Sequence, residues 1–427
     1  MDDGHRLGPA QGTALLLGAV LGPGVLVLPH LAALAAGPAA VLAWAGLLAA
    51  GAPVALTFAA LGARYPDGGG VATFAARAFG PRVSAITGWW FYLAVPAGVL
   101  GAAIGGARYV ADGLGLPAGA VTPVAVALLA ISFGLNHAGL RVSGPAQLLL
   151  AGLLAVLLVG AVAAALPAVR AGSFEPFAPH GWAGVASAVG VLFYGFAGWE
   201  AASHLSADFA RPRRDLPRAT VLAVSVVAVL YLGLSFVTAG ALGERAAVSP
   251  VPMTLLLGYA LGPLAGPVTA VAAVLLSVGA VNAYLAGGSR LGAALARDGA
   301  FPAPLARGGG PGLVPHRSLA VLAVLIAALI PLGLDLDTLM RVTAACLAAV
   351  TTVGVAAAVR LLPPVRGRRT AVAGLAFALA TTAACGAYLL VPAVIAAVAA
   401  VLARPRRASA AHAVPVPGER DAGAAAR

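Results

Sequence analysis

A single carboxylate stands inside an apolar stretch of this sequence. Residues 187–218 read SAVGVLFYGFAGWEAASHLSADFARPRRDLPR, and the small residues Gly195, Ala197 and Gly198 interrupt the apolar run just before Glu200. Of the 14 acidic residues in the chain, Glu200 alone falls well inside a segment that we expect to lie in a membrane. An ionisable group at that depth is costly and usually faces the protein interior, where it serves a function. Glu200 is therefore the first candidate for a functional side chain.

Two roles are open for the Glu200 carboxylate. It could couple protons or gate a pathway, or it could be a structural acceptor for backbone N–H groups that the interrupted helix leaves unpaired. His204 follows four residues later, on the same face of a helix. It could relay protons with Glu200, although a histidine packed near a cytoplasmic gate is the favoured interpretation.

A second interruption lies near the start of the chain, where residues 18–24 read GAVLGPG. In lipid, unpaired backbone groups are tolerated only where they line a cavity. The N–H groups and positive helix end that follow Gly24 suit a carboxylate, and carbonyls near Phe193 to Ala197 suit an ammonium. One site with both ends describes a zwitterionic amino acid. Either glycine motif alone favours simple close packing of helices, but the pair at matching positions favours binding.

The composition predicts a membrane protein. The chain is 61% hydrophobic and 9% charged, whereas soluble chains carry about 25% charged residues. A β-barrel would show alternating segments of about 10 residues, and none occur. The net charge is +12, and all 26 basic residues are arginines that cluster in alternate loops, which indicates topology and argues against nucleic acid. Two cysteines are too few for a disulfide framework or a zinc site, so we expect neither a metal nor a cofactor.

Twelve membrane spans are predicted from apolar runs of about 20 residues. They are 11–35, 39–62, 83–111, 119–136, 143–167, 182–206, 217–242, 263–296, 318–334, 338–362, 370–384 and 386–403. The last two require a tight turn near Gly386, and residues 250–261 are expected to form an external lid helix. With both termini in the cytoplasm, 22 of the 26 arginines lie inside, as the positive-inside rule requires.

The two interruptions fall in the first and sixth spans and predict an inverted repeat. Five spans make an odd number, so a second copy of the unit must be inserted upside down, and matched broken helices point to a midplane binding site. The domains are a cytoplasmic N-terminus (1–10), the first repeat (11–167), the second repeat (182–362), two further helices (370–403) and a disordered cytoplasmic tail (404–427). Pro96, Ser277 and Asn282 are further candidates for a pocket or ion site.

Five segments carry a resemblance to the amino acid–polyamine–organocation superfamily of permeases over residues 10–405. They are GAVLGPGVLVLP (18–29), YPDGGGVATFAARAFGPRVSAITGW (65–89), FGLNHAGLRVSG (133–144), FYGFAGWEAASHLSADFARPRRDLPRA (193–219) and SVGAVNAYLAGGSRLGAALARDG (277–299). The loop DGGGVATF and residues 204–208 most resemble bacterial exporters of methionine and branched-chain amino acids. The resemblance implies an all-α, LeuT-like integral membrane protein of about 12 helices, with two inverted five-helix repeats, broken helices 1 and 6 and alternating access.

The resemblance also implies which residues contact the substrate. The implied carboxylate contacts are Gly22, Pro23, Gly24 and Val25, and the implied amine contacts are Phe193, Gly195, Phe196 and Ala197, with Tyr194 and Gly198 beside them. Glu200 falls at an acidic position that recurs in the superfamily. Pro23 departs from the pattern, because proline has no N–H to donate, so capture of a carboxylate must rely on its neighbours.

The function predicted from the sequence is secondary active transport of an amino acid in a bacterial plasma membrane. Proton-coupled export of Leu, Ile, Val or Met is the first choice, by a monomer or homodimer. Uptake or exchange of other amino acids or polyamines is the alternative, and a sensor that does not transport is a remoter one. A membrane-embedded enzyme would need a catalytic set at one depth, and only Glu200 and His204 lie together.

Overall fold

The structure is a computed structural model that describes residues 8–65, 70–139, 144–196, 198–200, 209–309, 313–363 and 366–403. Three sequence-based predictions therefore lie outside the described residues: the amine contact at Ala197, the role of His204 and the disordered tail 404–427. The side chain of Pro23 is also not described.

The described residues contain sixteen α-helices. In chain order they are α1 (Pro9–Val20), α2 (Leu28–Ala36), α3 (Ala40–Arg64), α4 (Gly70–Phe79), α5 (Pro81–Gly113), α6 (Val121–His137), α7 (Gly144–Ala165), α8 (Gly181–Phe196), α9 (Pro212–Val237), α10 (Arg245–Val248), α11 (Pro252–Leu261), α12 (Ala265–Arg297), α13 (His316–Leu329), α14 (Leu336–Leu361), α15 (Arg366–Ala384) and α16 (Leu390–Leu402).

Each of the twelve predicted spans overlaps at least one of these helices. Seven helical segments of the described chain are long and apolar enough to cross a membrane, and α15 with α16 makes an eighth if the bent pair counts as one span. Helices α1, α8 and α13 are apolar but shorter. For α1 and α8 the reason is the predicted interruption, since each is the first part of a broken span.

The chain turns sharply between the last two helices. Helix α16 departs from the direction of α15 by 107°, and Gly386 at the turn has a φ of +56°. A side chain is strained at such a φ, whereas glycine is not. The predicted tight turn near Gly386 is confirmed. The short apolar run at 250–261 is also helical, as α11.

The buried apolar side chains form two clusters. One joins α1, α2, α3, α7, α8, α9 and α14 with the first part of α12. The other joins α5, α6 and α13 with the second part of α12. The clusters share three helices, because α12 contributes to both, Tyr109 of α5 belongs to the first and Leu339 of α14 to the second.

The N-cap residue of α14, Asp335, predicts a stability that depends on pH. Asp335 Oδ1 accepts a hydrogen bond from Thr338 N at 2.7 Å, and the Thr338 side chain and backbone together lower the pKa of Asp335. A lowered pKa means that the ionised cap stabilises the fold above the unfolded-state pKa, and that this stabilisation is lost as pH falls through the folded-state pKa.

Asp335→Asn keeps a good capping side chain but cannot titrate there. We expect wild type to melt above Asp335→Asn at pH 6 and the difference to shrink as the pH is lowered toward 3. Thermal melts of both detergent-purified proteins test this, because all other carboxylates titrate equally in the two. A difference that stays constant with pH would contradict the expectation.

Candidate functional site

The first break separates α1 from α2. Helix α1 ends at Val20, a single 3₁₀ turn spans Pro23–Leu26, and α2 begins at Leu28. The turn is held by Val25 N, which donates to Gly22 O at 3.2 Å. The N–H of Gly24 has no acceptor among the residues that the structure describes. The predicted break is present and leaves a backbone donor at its centre.

The second break lies directly against the first. Helix α8 ends at Phe196, and Gly198 has a φ of +124°. A Cβ added to Gly198 would lie 2.7 Å from Ala19 O and 3.3 Å from Val20 Cα. The main chains of the two breaks therefore touch, which only glycine permits here. The last four carbonyls of a helix have no partner within it, so those of residues 193–196 end beside the first break.

The Glu200 side chain accepts a hydrogen bond within the second break. Its Oε2 accepts a hydrogen bond from Gly198 N at 3.0 Å, and the residue is 8% exposed. This contact matches the structural alternative considered for Glu200, an acceptor for a backbone N–H that the break leaves unpaired. A role in proton coupling or gating stays a prediction.

A cavity of about 260 Å³ opens beside the two breaks. Ligand pockets usually measure about 300 to 1,000 Å³, so this one suits a small solute. One wall comes from the breaks and from α7: Gly18, Ala19, Leu21, Gly22, Gln147, Leu150, Ala151, Gly198 and Glu200. The facing wall comes from α5, α12 and α14: Phe91, Leu276, Gly279, Ala280, Ala283, Tyr284 and Leu347.

Tyr194 closes a second, smaller cavity of about 20 Å³. Its ring lies against Gly24, where an added Cβ would come within 2.5 Å of Cε1, and its hydroxyl donates to Gly98 O at 3.3 Å. Phe91, Tyr284 and Leu347 line both cavities. The two spaces are therefore neighbours, with shared walls on α5, α12 and α14.

The other residues predicted at the breaks are buried in packing. Phe196 contacts Phe193, Trp199 and Phe377, with ring centroids about 6 Å apart. Val25 is also buried, and the backbone of Gly195 lies against Leu28. These side chains line neither cavity, so any contact that they make with a solute would come from their main chain.

The structure places Pro96, Ser277 and Asn282 outside both cavity walls. Ser277 Oγ faces α5 at Gly106, and Asn282 O accepts a hydrogen bond from Asn136 of α6 at 3.1 Å. Pro96 lies within the unbroken helix α5. Their predicted roles have no support from the cavity geometry. In the described parts of the chain, no group of three or more His, Cys, Asp or Glu side chains could hold a metal ion.

Sequence analysis missed Gln147, Tyr284 and Leu347 as cavity residues. A signal for α12 was available, because residues 276, 279, 280, 283 and 284 follow helical spacing and four of these five positions are apolar or small. Gln147 had a weaker signal, as a polar residue at the start of the apolar helix α7.

Broken helices that meet beside a solute-sized cavity in an all-helical membrane protein define a transporter. The sequence profile of the family described as "Amino acid permease" matches residues 7–403. The chain belongs to this amino acid permease family. It is therefore a multi-pass membrane transporter and not an enzyme.

Three relatives are similar to this chain over more than two thirds of their own length. The chain is 36% identical to the uncharacterized amino acid permease YecA of Bacillus subtilis, over 91% of this chain and 92% of the relative. It is 32% identical to the L-methionine/branched-chain amino acid exporter YjeH of Escherichia coli, over 67% and 69%. It is 28% identical to the branched-chain amino acid permease BcaP of B. subtilis, over 71% and 69%.

Proposed function

We propose that this permease exports apolar amino acids in exchange for protons, by alternating access of its central site. The observation that carries the proposal is the contact between two broken helices beside a largely apolar cavity that contains Glu200. The breaks offer a donor and acceptors on the main chain, and the cavity offers space for an apolar side chain.

Recognition of the amino-acid backbone would use main-chain groups. The unpaired N–H of Gly24 and the positive end of α2 suit the carboxylate, while the carbonyls at the end of α8 suit the ammonium. Among the described residues, Glu200 is the one charged side chain in the cavity wall. An acidic substrate side chain would find no cationic partner in this wall, and a basic one would have to compete with Gly198 N for the Glu200 carboxylate. This favours Leu, Ile, Val or Met. The names of YjeH and BcaP support the same class.

Proton coupling would act through the Glu200 carboxylate. When ionised, it accepts the hydrogen bond of Gly198 N at the point where the two breaks touch. A charge-assisted hydrogen bond is stronger than a neutral one, so protonation would loosen the second break. The carboxylate also faces the cavity, where substrate and water can reach it. Binding of a proton and binding of substrate would therefore both affect the point where the two breaks touch.

The remaining features of the proposal concern the membrane and assembly. The arginine distribution supports a bacterial inner membrane protein with both termini in the cytoplasm. The chain would act as a monomer or as a homodimer, since each copy carries its own cavity. The lipid bilayer, the amino acid and protons are its expected partners.

Flux in proteoliposomes tests the proposal. Vesicles loaded with labelled leucine or methionine should lose label faster when the outside is made acidic, because inward proton flow drives outward substrate flow. A protonophore should abolish the acceleration, and labelled lysine should show none. Uptake driven by an acidic outside would instead support the alternative of import, and efflux that ignores the pH gradient would contradict proton coupling.

A further inference from the structure

We propose that Tyr284 determines substrate specificity, and that with Phe91 and Leu347 it forms a side-chain subsite that favours a linear thioether, as in methionine. The inference rests on the proposed function, since it takes an amino acid as the ligand. It goes further by ranking the apolar candidates through a residue outside both helix breaks.

The position of the subsite follows from the two cavities. Phe91, Tyr284 and Leu347 line both of them and come from α5, α12 and α14. These helices form the wall that faces the breaks. A ligand held by its ammonium and carboxylate at the breaks must direct its side chain away from them, toward this wall. The three residues therefore meet the part of the ligand that differs between amino acids.

The Tyr284 hydroxyl is available, unlike the other hydroxyls of the smaller cavity. Tyr194 donates to Gly98 O at 3.3 Å, and Thr343 donates to Leu339 O at 2.9 Å. Tyr284 has no hydrogen-bond partner among the described residues. It is 42% exposed although it lines two interior cavities. The Tyr284 side chain is therefore open to the space that a ligand would enter.

An available hydroxyl in an apolar wall discriminates between side chains. A hydrocarbon side chain would displace water from Tyr284 and leave its O–H unpaired, which costs free energy. A thioether sulfur is a weak acceptor and can take that hydrogen bond. The sulfur also makes favourable contacts with aromatic rings, and Phe91 stands in the same wall. The chemistry of the wall thus matches sulfur better than a methylene group.

The shape of the space favours a linear chain. The second cavity, which shares this wall with the larger one, measures about 20 Å³ and is flanked by Val95 and Val99. A space of that size holds about one water-sized group. The terminal methyl of an unbranched chain can enter it, whereas a branched end presents two methyl groups at once.

The larger cavity has other polar groups, and the test must separate their effects from that of Tyr284. Gln147 and Glu200 line it on the side of the breaks, and Glu200 and Tyr284 line the same cavity. If Tyr284 served only to hold Glu200, its hydroxyl would affect every ligand equally. A comparison of ligands that differ at one side-chain atom separates these two roles.

The test measures dissociation constants of methionine, norleucine and leucine for the full-length protein in detergent. Norleucine replaces the sulfur of methionine with a methylene group and keeps the linear shape. Wild type should bind methionine about threefold or more tighter than norleucine, as a weak hydrogen bond allows. Tyr284→Phe should reduce that preference to the part that the aromatic rings supply, and it should still prefer norleucine to leucine.

Tyr259→Phe is the matched control. Tyr259 is similarly exposed, at 45%, and donates to Ala241 O at 3.0 Å outside both cavities. It should leave the methionine-to-norleucine ratio unchanged. A methionine-to-norleucine ratio that is the same in Tyr284→Phe as in wild type would overturn the inference, and so would a ratio that falls equally in both variants. Neither result would contradict the binding of amino acids. Absence of binding by wild type to any amino acid would overturn the proposed function as well.

Discussion

Gly198→Ala is expected to weaken amino-acid binding by the purified protein at least tenfold. The φ of Gly198 is +124°, and an added Cβ would meet the carbonyl of Ala19 at 2.7 Å. Backbone strain and overpacking each cost on the order of 1 to 3 kcal/mol. Separation of the two breaks relieves both, and it also moves the donors and acceptors proposed to hold the ligand. Affinity should fall at least tenfold, measured by calorimetry or by ligand-induced thermal shift.

Gly152→Ala provides the matched control for this substitution. Gly152 lies on an exposed face of α7, and an added Cβ there meets nothing within 4 Å. Alanine is the better helix former, so this variant should bind like wild type and melt at the same temperature or slightly higher. Wild-type affinity in Gly198→Ala would show that the contact between the breaks is not needed for binding.

Glu200→Gln is expected to separate transport from its driving force. The glutamine amide oxygen can still accept the hydrogen bond from Gly198 N, so the break should keep its geometry. The variant has no group that ionises, so it cannot carry a proton. We expect leucine exchange between vesicle compartments to continue within a few-fold of wild type, and the response of net efflux to a pH gradient to disappear.

Glu200→Ala completes this test, because it removes the acceptor as well as the charge. A buried N–H without a partner costs about 1 to 3 kcal/mol, so this variant should melt below both wild type and Glu200→Gln. Net efflux in Glu200→Gln that still follows the pH gradient would assign coupling to another group. Equal melting of the two variants would mean that the hydrogen bond to Gly198 contributes little.

The helices and both breaks could be predicted from the sequence because their causes are local. Apolar runs of spanning length, the proline between Gly22 and Gly24, and the glycines around Ala197 each disrupt or permit helix without reference to the rest of the chain. The turn at Gly386 is local in the same sense. The distribution of arginines predicts which loops are cytoplasmic, and that orientation stays a prediction.

The cavity walls could not be predicted with the same success, because they depend on the rotation of each helix about its axis. Ser277 is one residue from Leu276, yet a step of about 100° turns it toward Gly106 of α5 and out of the cavity. The same rotation per residue places Tyr284 at the cavity. Polarity suggested Ser277 and Asn282 as candidates, but a buried polar side chain can equally serve contacts between helices, as the Asn136 side chain does when it donates to the backbone oxygen of Asn282.

The two walls of the cavity differ in how they respond to mutation. The backbone atoms offered at the breaks are the same for every residue type, so most codon changes leave them in place, and the glycines are the sensitive exceptions. The opposite wall consists of side chains such as Phe91, Tyr284 and Leu347, which a single nucleotide change can replace. Permeases with this architecture can therefore change substrate through single substitutions in the side-chain wall. They keep the main-chain contacts proposed for the ammonium and carboxylate, which all amino acids share.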